Sequence, residues 1–405
     1  MLLRKKYLDV ITPFVDKKLI KVLVGIRRSG KTVLLSQIKD LILNNGVPAE
    51  NIIDINFESM TVNELKQANK LYSYITDKVK DLNGRVYLFF DEIQEVEKWE
   101  KAVNSFLVDF DCDIYITGSN SNLLSGELAT YLSGRYVQFK VYPFSFSEAK
   151  EYLLESGQYT TDEKLFADYL RFGGLPQRFA FSDEHSVKTY LEDVLEAIVI
   201  KDVIARNNIK DIDLLQRLLS FILDNVGNTF SARSICDYLG KENRATTTET
   251  INNYIQYFKN AMIICVARRY DIKGKNLLKT FEKYYAVDLG LRNIIKSSEQ
   301  IDSAKLYENI VYLEMLCRGY EVRVGKLAEQ EIDFICYKGK DKIYVQVAYL
   351  LDSEKTLERE FGNLEKITDN YPKYVISGDL VDFSKNGIRH FNIIDFLLDE
   401  SIEIH

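Results

Sequence analysis

Ile20-Lys-Val-Leu-Val-Gly-Ile-Arg-Arg-Ser-Gly-Lys-Thr32 is the stretch that decides the fold. A short, mostly apolar run ends in Gly25-Ile-Arg-Arg-Ser-Gly-Lys31-Thr32, which matches GxxxxGK[ST] at every fixed position. Glycines at these points allow the backbone to turn its amide N–H groups inward as an anion-binding nest. A helix starting at Lys31 adds the positive end of its dipole. The pattern predicts that Gly25, Arg27, Arg28, Ser29, Gly30, Lys31, Thr32 and Val33 surround the phosphates of ATP. Lys31 is expected to reach the β- and γ-phosphates, and Thr32 to place its hydroxyl on Mg²⁺. A bare Gly/Lys turn would share the spelling, but here a predicted strand precedes it and a predicted helix follows.

Working outward, strand and helix patterns alternate through residue 145. Thr32–Leu43 carries a helical stripe, and Asn51–Phe57, Val86–Phe90, Ile114–Thr117 and Tyr136–Val141 read as strands. Helical patterns separate them at Val62–Lys80, Trp99–Phe110 and Ser121–Leu132. Such alternation predicts a parallel sheet covered by helices, with ligands at the carboxyl ends of its strands. Val86-Tyr-Leu-Phe-Phe-Asp91-Glu92 supplies the acids expected opposite a phosphate loop. Asp91 is the expected metal-side carboxylate and Glu92 the general base that polarises water. After Ile114-Tyr-Ile-Thr117-Gly, either Ser119 or Asn120 can sense the terminal phosphate; both also cap helices well. Arg135 is either a finger reaching a neighbouring subunit's nucleotide or a surface arginine at a helix end.

The segments Gly25–Thr32, Phe89-Phe-Asp-Glu-Ile-Gln94, Thr117–Ser125, Leu132-Ser-Gly-Arg-Tyr136 and Tyr142–Glu148 together resemble the AAA+-related ATPases with a C-terminal domain of unknown function. They are similar also to the signal-transducing ATPases with numerous domains. The resemblance continues into Phe172-Gly-Gly-Leu-Pro176 and covers nearly the whole chain. It implies a helical lid whose Gly174-Leu-Pro176 turn touches the bound nucleotide. On residue type alone the same turn is a helix terminator.

Composition is that of a folded protein: 405 residues, 46% apolar, 28% charged, net charge −7 and five prolines. No run of 18 apolar residues suits a membrane span. Five isolated cysteines read as free thiols in a reducing, cytoplasmic setting. The expected organisation is α/β overall: a parallel-sheet P-loop core over 1–145, a helical lid over 146–222, a winged helix over 223–295, and a restriction-endonuclease-like α/β domain over 296–405.

In the third segment, Ser231–Leu239 and Thr246–Lys259 read as helices. Two apolar runs then flank Asp271-Ile-Lys273-Gly-Lys275, a hairpin signal. Between 233 and 283 ten basic residues face five acidic ones in an otherwise acidic chain. Lys273 and Lys275 at the wing tip are candidate DNA phosphate contacts; protein contact or hinge packing is the alternative. In the fourth segment, a helix pattern carrying Glu308, followed by strands carrying Asp333 and Gln346, resembles the restriction-endonuclease-like fold, which implies acids that bind a metal at these positions. Gln346-Val-Ala348 stands in place of the required Glu-x-Lys, which predicts a vestigial site. The function expected is an ATP-driven switch contacting DNA or a protein partner, with homo-oligomer formation open. The alternative is an ATP-regulated DNA-processing enzyme whose C-terminal domain cuts.

Overall fold

The computed structural model describes residues 2–119, 134–241, 246–277, 282–295 and 302–399. The chain divides into two compact units, Met1–Pro143 with Asn260–Met262, and Phe144–Lys259 with Ile263–His405.

Five strands form the sheet of the first unit: β1 (Ile20–Val24), β2 (Ile52–Asn56), β3 (Val86–Asp91), β4 (Cys112–Gly118) and β5 (Tyr136–Lys140). Their order is β2-β3-β4-β1-β5, and every neighbouring pair is parallel. The three central strands are buried along their whole length, which explains their near-continuous apolar runs. Edge strands β2 and β5 are only partly covered. Because all five run the same way, the loop after β1, the acids ending β3 and the polar end of β4 share one edge. Strand β4 lies between β1 and β3, so its polar end stands between the loop after β1 and the acids of β3.

Helix Lys31–Asn44 packs the sheet because Leu34, Leu35, Ile38 and Ile42 recur on one face. They bury against Leu23, Tyr115 and Phe139, each contributing about 1.5–3 kcal/mol. Helices Lys5–Ile11, Ala68–Val79 and Trp99–Asp109 add to the described helical cover, and Leu8 and Ile11 join the same apolar cluster. One residue breaks the apolar reading of β1. Lys21 is fully buried, and its ammonium meets Asp113 of β4. Tyr115 and the Asp16 backbone also donate to Asp113, at 2.8 and 2.9 Å. Such a pair is tolerated because every partner is hydrogen-bonded.

The second unit opens with helices Phe146–Glu155, Asp162–Phe172, Glu184–Ala197, Ile212–Asp224, Ala232–Lys241 and Thr248–Asn260. Helix Glu184–Ala197 runs on into a wider π-helical stretch, Ile198–Ala205. Strands β6 (Ile264–Asp271) and β7 (Asn276–Leu277) make the expected hairpin, whose turn closes as Asp271 accepts the Lys273 and Gly274 amides. Strand β8 (Lys283–Ala286) pairs antiparallel with the other end of β6.

Helix Ser303–Cys317 then leads into β9 (Glu321–Leu327), β10 (Gln330–Lys338) and β11 (Asp341–Val347). Helix Glu354–Glu365, β12 (Lys373–Ser377), β13 (Arg389–Asn392) and helix Ile393–Leu398 follow. The sheet order is β13-β12-β11-β10-β9-β6-β7. Strand β6 therefore continues the C-terminal sheet by parallel pairing with β9. Side chains explain the join: Tyr270 of β6 meets Tyr337 of β10 edge-on, and the Arg323 guanidinium lies over both rings. Among the described residues, no helix is long and apolar enough to cross a membrane.

Candidate nucleotide site

The loop from Gly25 to Gly30 joins β1 to helix Lys31–Asn44, and its backbone is unusual at two points. Arg28 has φ 69° and Gly30 φ 93°, both left-handed. Gly25 admits no side chain: a Cβ there would stand 2.3 Å from the Val141 carbonyl oxygen and 2.7 Å from Ser29 Oγ. The Lys31 ammonium donates to the Gly25 and Ile26 carbonyls at 3.1 and 3.2 Å, so the loop closes over its own lysine. Ser29 is fully buried and its Oγ has no hydrogen-bond partner among the described residues. Arg27 stands 3.6 Å from Glu58. Val33 is half-buried in the first helical turn.

Asp91 is the hub of the facing side. Its Oδ2 accepts Thr32 Oγ1 at 2.8 Å and Asn56 Nδ2 at 2.9 Å, and its Oδ1 accepts Thr117 Oγ1. Three strands and the helix start thus converge on one carboxylate. Thr117 Oγ1 in turn accepts the Glu92 backbone N–H at 2.9 Å. Glu92 is held with φ 53°, a left-handed conformation uncommon for a side chain of this size. Gln94 Nε2 donates to the Glu92 carboxylate. Burial raises the Glu92 pKa, while Lys31 and the Gln94 bond pull the other way.

Ser119 is buried just past β4, and Asn120 lies outside the described residues. Arg135 precedes β5, where its carbonyl accepts the Ile20 N–H, and its guanidinium donates to Asn104 Oδ1 at 2.6 Å. Ile20 begins β1 and the phosphate loop follows its end, so Arg135 stands at the opposite edge of the sheet from this chain's own loop.

In the second unit, Gly174-Leu-Pro176 follows helix Asp162–Phe172, which ends at Gly173 with φ 71°. The turn is built around a buried carboxylate. Asp288 accepts the Gly174 N–H at 2.7 Å and the Leu291 N–H at 3.1 Å. Burial pushes its pKa up, against the pull of these backbone donors and Arg178. The Gly174 carbonyl accepts the Phe144 N–H at 2.8 Å.

Glu308, Asp333 and Gln346 do come together. Gln346 Oε1 accepts the Asp333 N–H at 2.6 Å, and its Nε2 donates to Glu360 at 2.7 Å. Asp333 Oδ2 accepts the Val347 N–H at 2.9 Å. Lys283 of β8 was not singled out by sequence; its ammonium binds Glu308 at 2.8 Å and Glu331 at 2.6 Å. Burial alone would lower its pKa, but Glu308, Asp333 and Glu331 outweigh that and raise it. Among the described residues, no three His, Cys, Asp or Glu side chains are placed to hold a metal ion. Lys273 and Lys275 are exposed at the hairpin tip. Asn56, Lys283 and Asp288 had no motif to mark them, and Thr117 stood out only as part of the segment ending β4, since each has a partner distant in sequence.

Residues 17–150 match the AAA domain family, and residues 163–302 match the Domain of unknown function (DUF8612). An uncharacterized protein of Haemophilus influenzae is 41% identical over 98% of this chain and 99% of its own length. The uncharacterized protein MJ1544 of Methanocaldococcus jannaschii is 31% identical over 93% of this chain and 85% of its own. The chain belongs to their family of AAA-type P-loop ATPases. Among solved structures, the Walker-type ATPase PABY2304 of Pyrococcus abyssi matches this AAA-type chain in fold. Its TM-score is 0.51 at 15% identity, over 73% of this chain and 96% of that one.

Proposed function

We propose that this AAA-type protein binds Mg²⁺ and ATP at the Gly25–Thr32 loop, hydrolyses ATP, and works as a switch on a partner. The observation that carries the reading is the meeting of Thr32, at the start of the helix, with Asp91, at the end of β3, at 2.8 Å. The fit of loop to phosphate is supported by the buried Ser29 hydroxyl, which has no hydrogen-bond partner among the described residues, and by Gly25, whose missing Cβ lets the loop pack against the Val141 carbonyl. Thr32 and Asp91 are the residues that would hold Mg²⁺, which when bound neutralises charge on the phosphates. Lys31 supplies a fixed positive charge to the β- and γ-phosphates, and the loop amides add aligned dipoles. Glu92 accepts a proton from the attacking water, with Thr117 fixing its backbone and Gln94 its carboxylate. Ser119 is a candidate sensor of the terminal phosphate, and Gly174–Pro176 a candidate lid contact. Arg135 is suited to act only on a neighbouring copy's nucleotide.

The partner is proposed to be DNA or a protein, with Lys273 and Lys275 as the candidate phosphate contacts. Nuclease action is disfavoured, because Lys283 is already paired with Glu308 and Glu331, and Gln346 spends its amide on Asp333 and Glu360. The five cysteines stand apart in sequence with no CxxC spacing, which fits a reducing, cytoplasmic setting. Calorimetry with ATP and a phosphate-release assay test the reading: Lys31→Ala is expected to lose binding, and Glu92→Gln to bind ATP without turning it over. Folded wild-type protein that gives no heat with ATP would sink it.

A further inference from the structure

We propose that Arg4 is a positioning residue that holds the phosphate loop in its anion-receiving shape. Its side chain is 1% exposed, one of the largest fully buried groups in the chain. Nη1 donates to the Ser29 carbonyl at 3.0 Å and to the Tyr142 carbonyl at 3.0 Å, and Nη2 donates to the Pro143 carbonyl at 3.4 Å. The guanidinium lies 4.4 Å from the centre of the Tyr7 ring, and the Tyr7 hydroxyl accepts the Tyr142 N–H at 2.9 Å. Main-chain bonds tie the same segment to the helix that begins at Lys31. The Arg4 N–H donates to Gln37 Oε1 at 3.1 Å, and Gln37 Nε2 donates to the Leu2 carbonyl at 2.7 Å.

The consequence follows from peptide geometry. A trans peptide is planar, with its C=O and N–H pointing opposite ways, and no described peptide bond is cis. Pinning the Ser29 carbonyl onto Arg4 therefore turns the Gly30 N–H away from Arg4. It also keeps a carbonyl dipole from swinging toward an incoming phosphate. The same guanidinium holds Tyr142 and Pro143, next to the Val141 carbonyl on which Gly25 leans. One planar cation thus fixes the far end of the loop and the wall behind its beginning. A forked guanidinium suits this bridging task, whereas an ammonium is a point charge on a flexible stem.

The inference rests on the ATP-binding reading, and wild-type binding tests that reading separately. Once wild type binds, Arg4→Ala is expected to raise the ATP dissociation constant at least about tenfold, the scale of losing charge-assisted hydrogen bonds. Millimolar methylguanidinium should restore part of that affinity to Arg4→Ala and none to wild type. Arg4→Lys keeps the charge and stem, so it carries the test if the alanine variant folds poorly; it too should bind ATP more weakly. A purely structural role predicts a lower melting temperature with unchanged ATP affinity in the folded fraction, and that result in either variant would overturn the proposal.

Discussion

The hydroxyl of Thr117 receives the Glu92 backbone N–H at 2.9 Å while donating its own proton to Asp91. A single side chain on β4 therefore sets both acids at the end of β3. Thr117→Val keeps the shape and removes both bonds. We expect phosphate release to fall by about tenfold to a hundredfold, the effect of losing roughly 1.4–3 kcal/mol of positioning. ATP affinity, measured by calorimetry, should change only a few-fold. Turnover equal to wild type would mean that the left-handed Glu92 needs no support from β4.

Glu92 should impose a pH limb on turnover. Burial raises its pKa above the usual carboxylate range, and only the ionised form accepts a proton from water. The rate therefore rises with pH through that raised pKa. Stability runs the other way: the folded state holds this proton more tightly than the unfolded chain, so the protonated form's contribution fades as pH passes the folded pKa. Gln94→Leu removes a donor that favours the ionised carboxylate. Its pH–rate profile should shift its acid limb to higher pH; an unmoved limb would place the proton acceptor elsewhere.

What could be read from sequence follows from how local each signal is. The phosphate loop is one contiguous stretch, and Asp91 ends an uninterrupted apolar run, so both announce themselves. That Thr32 and Asp91 meet needs only the rule that parallel strands present their carboxyl ends together. Thr117 carries no such label, because its role depends on β4 lying between β1 and β3. Lys21 misled the apolar reading of β1, since nothing near it in sequence reveals Asp113 beneath. Lys283 was counted only as one more charge in a basic stretch. Its neighbour Glu308 comes from helix Ser303–Cys317, and Glu331 comes from β10, which is linked to β8 through β9 and β6.

Lys283 is 5% exposed and bridges Glu308 and Glu331. Removing one member of a buried charged set leaves the others uncompensated, which costs about 3–5 kcal/mol. Lys283→Met should lose roughly that much stability in urea denaturation, at the lower end because Glu331 keeps access to water. Adding Glu308→Gln should recover part of it, since the double variant strands one carboxylate fewer. A double-variant loss equal to the sum of the two single losses would show that the pair is not coupled.

Asp288 offers the sharpest test of how the turn at Gly173-Gly174 is held. One carboxylate oxygen takes the Gly174 N–H at 2.7 Å and the other the Leu291 N–H at 3.1 Å. Asparagine presents a single acceptor, so Asp288→Asn must abandon one bond and face a backbone donor with its own NH₂ group. The group is buried, so the loss is expected at about 1–3 kcal/mol rather than the fraction typical of a surface change. Gly173 makes relaxation difficult, because its φ of 71° and the close approach of Asp288 leave the turn little alternative. Hydrogen exchange should therefore show faster opening at Gly174 or Leu291, not along the whole of helix Asp162–Phe172. If this turn also reads the nucleotide, the ATP affinity of Asp288→Asn will drop together with that protection. Lost protection with unchanged affinity would make Asp288 a packing residue of the second unit and remove the Gly174–Pro176 turn from the nucleotide site.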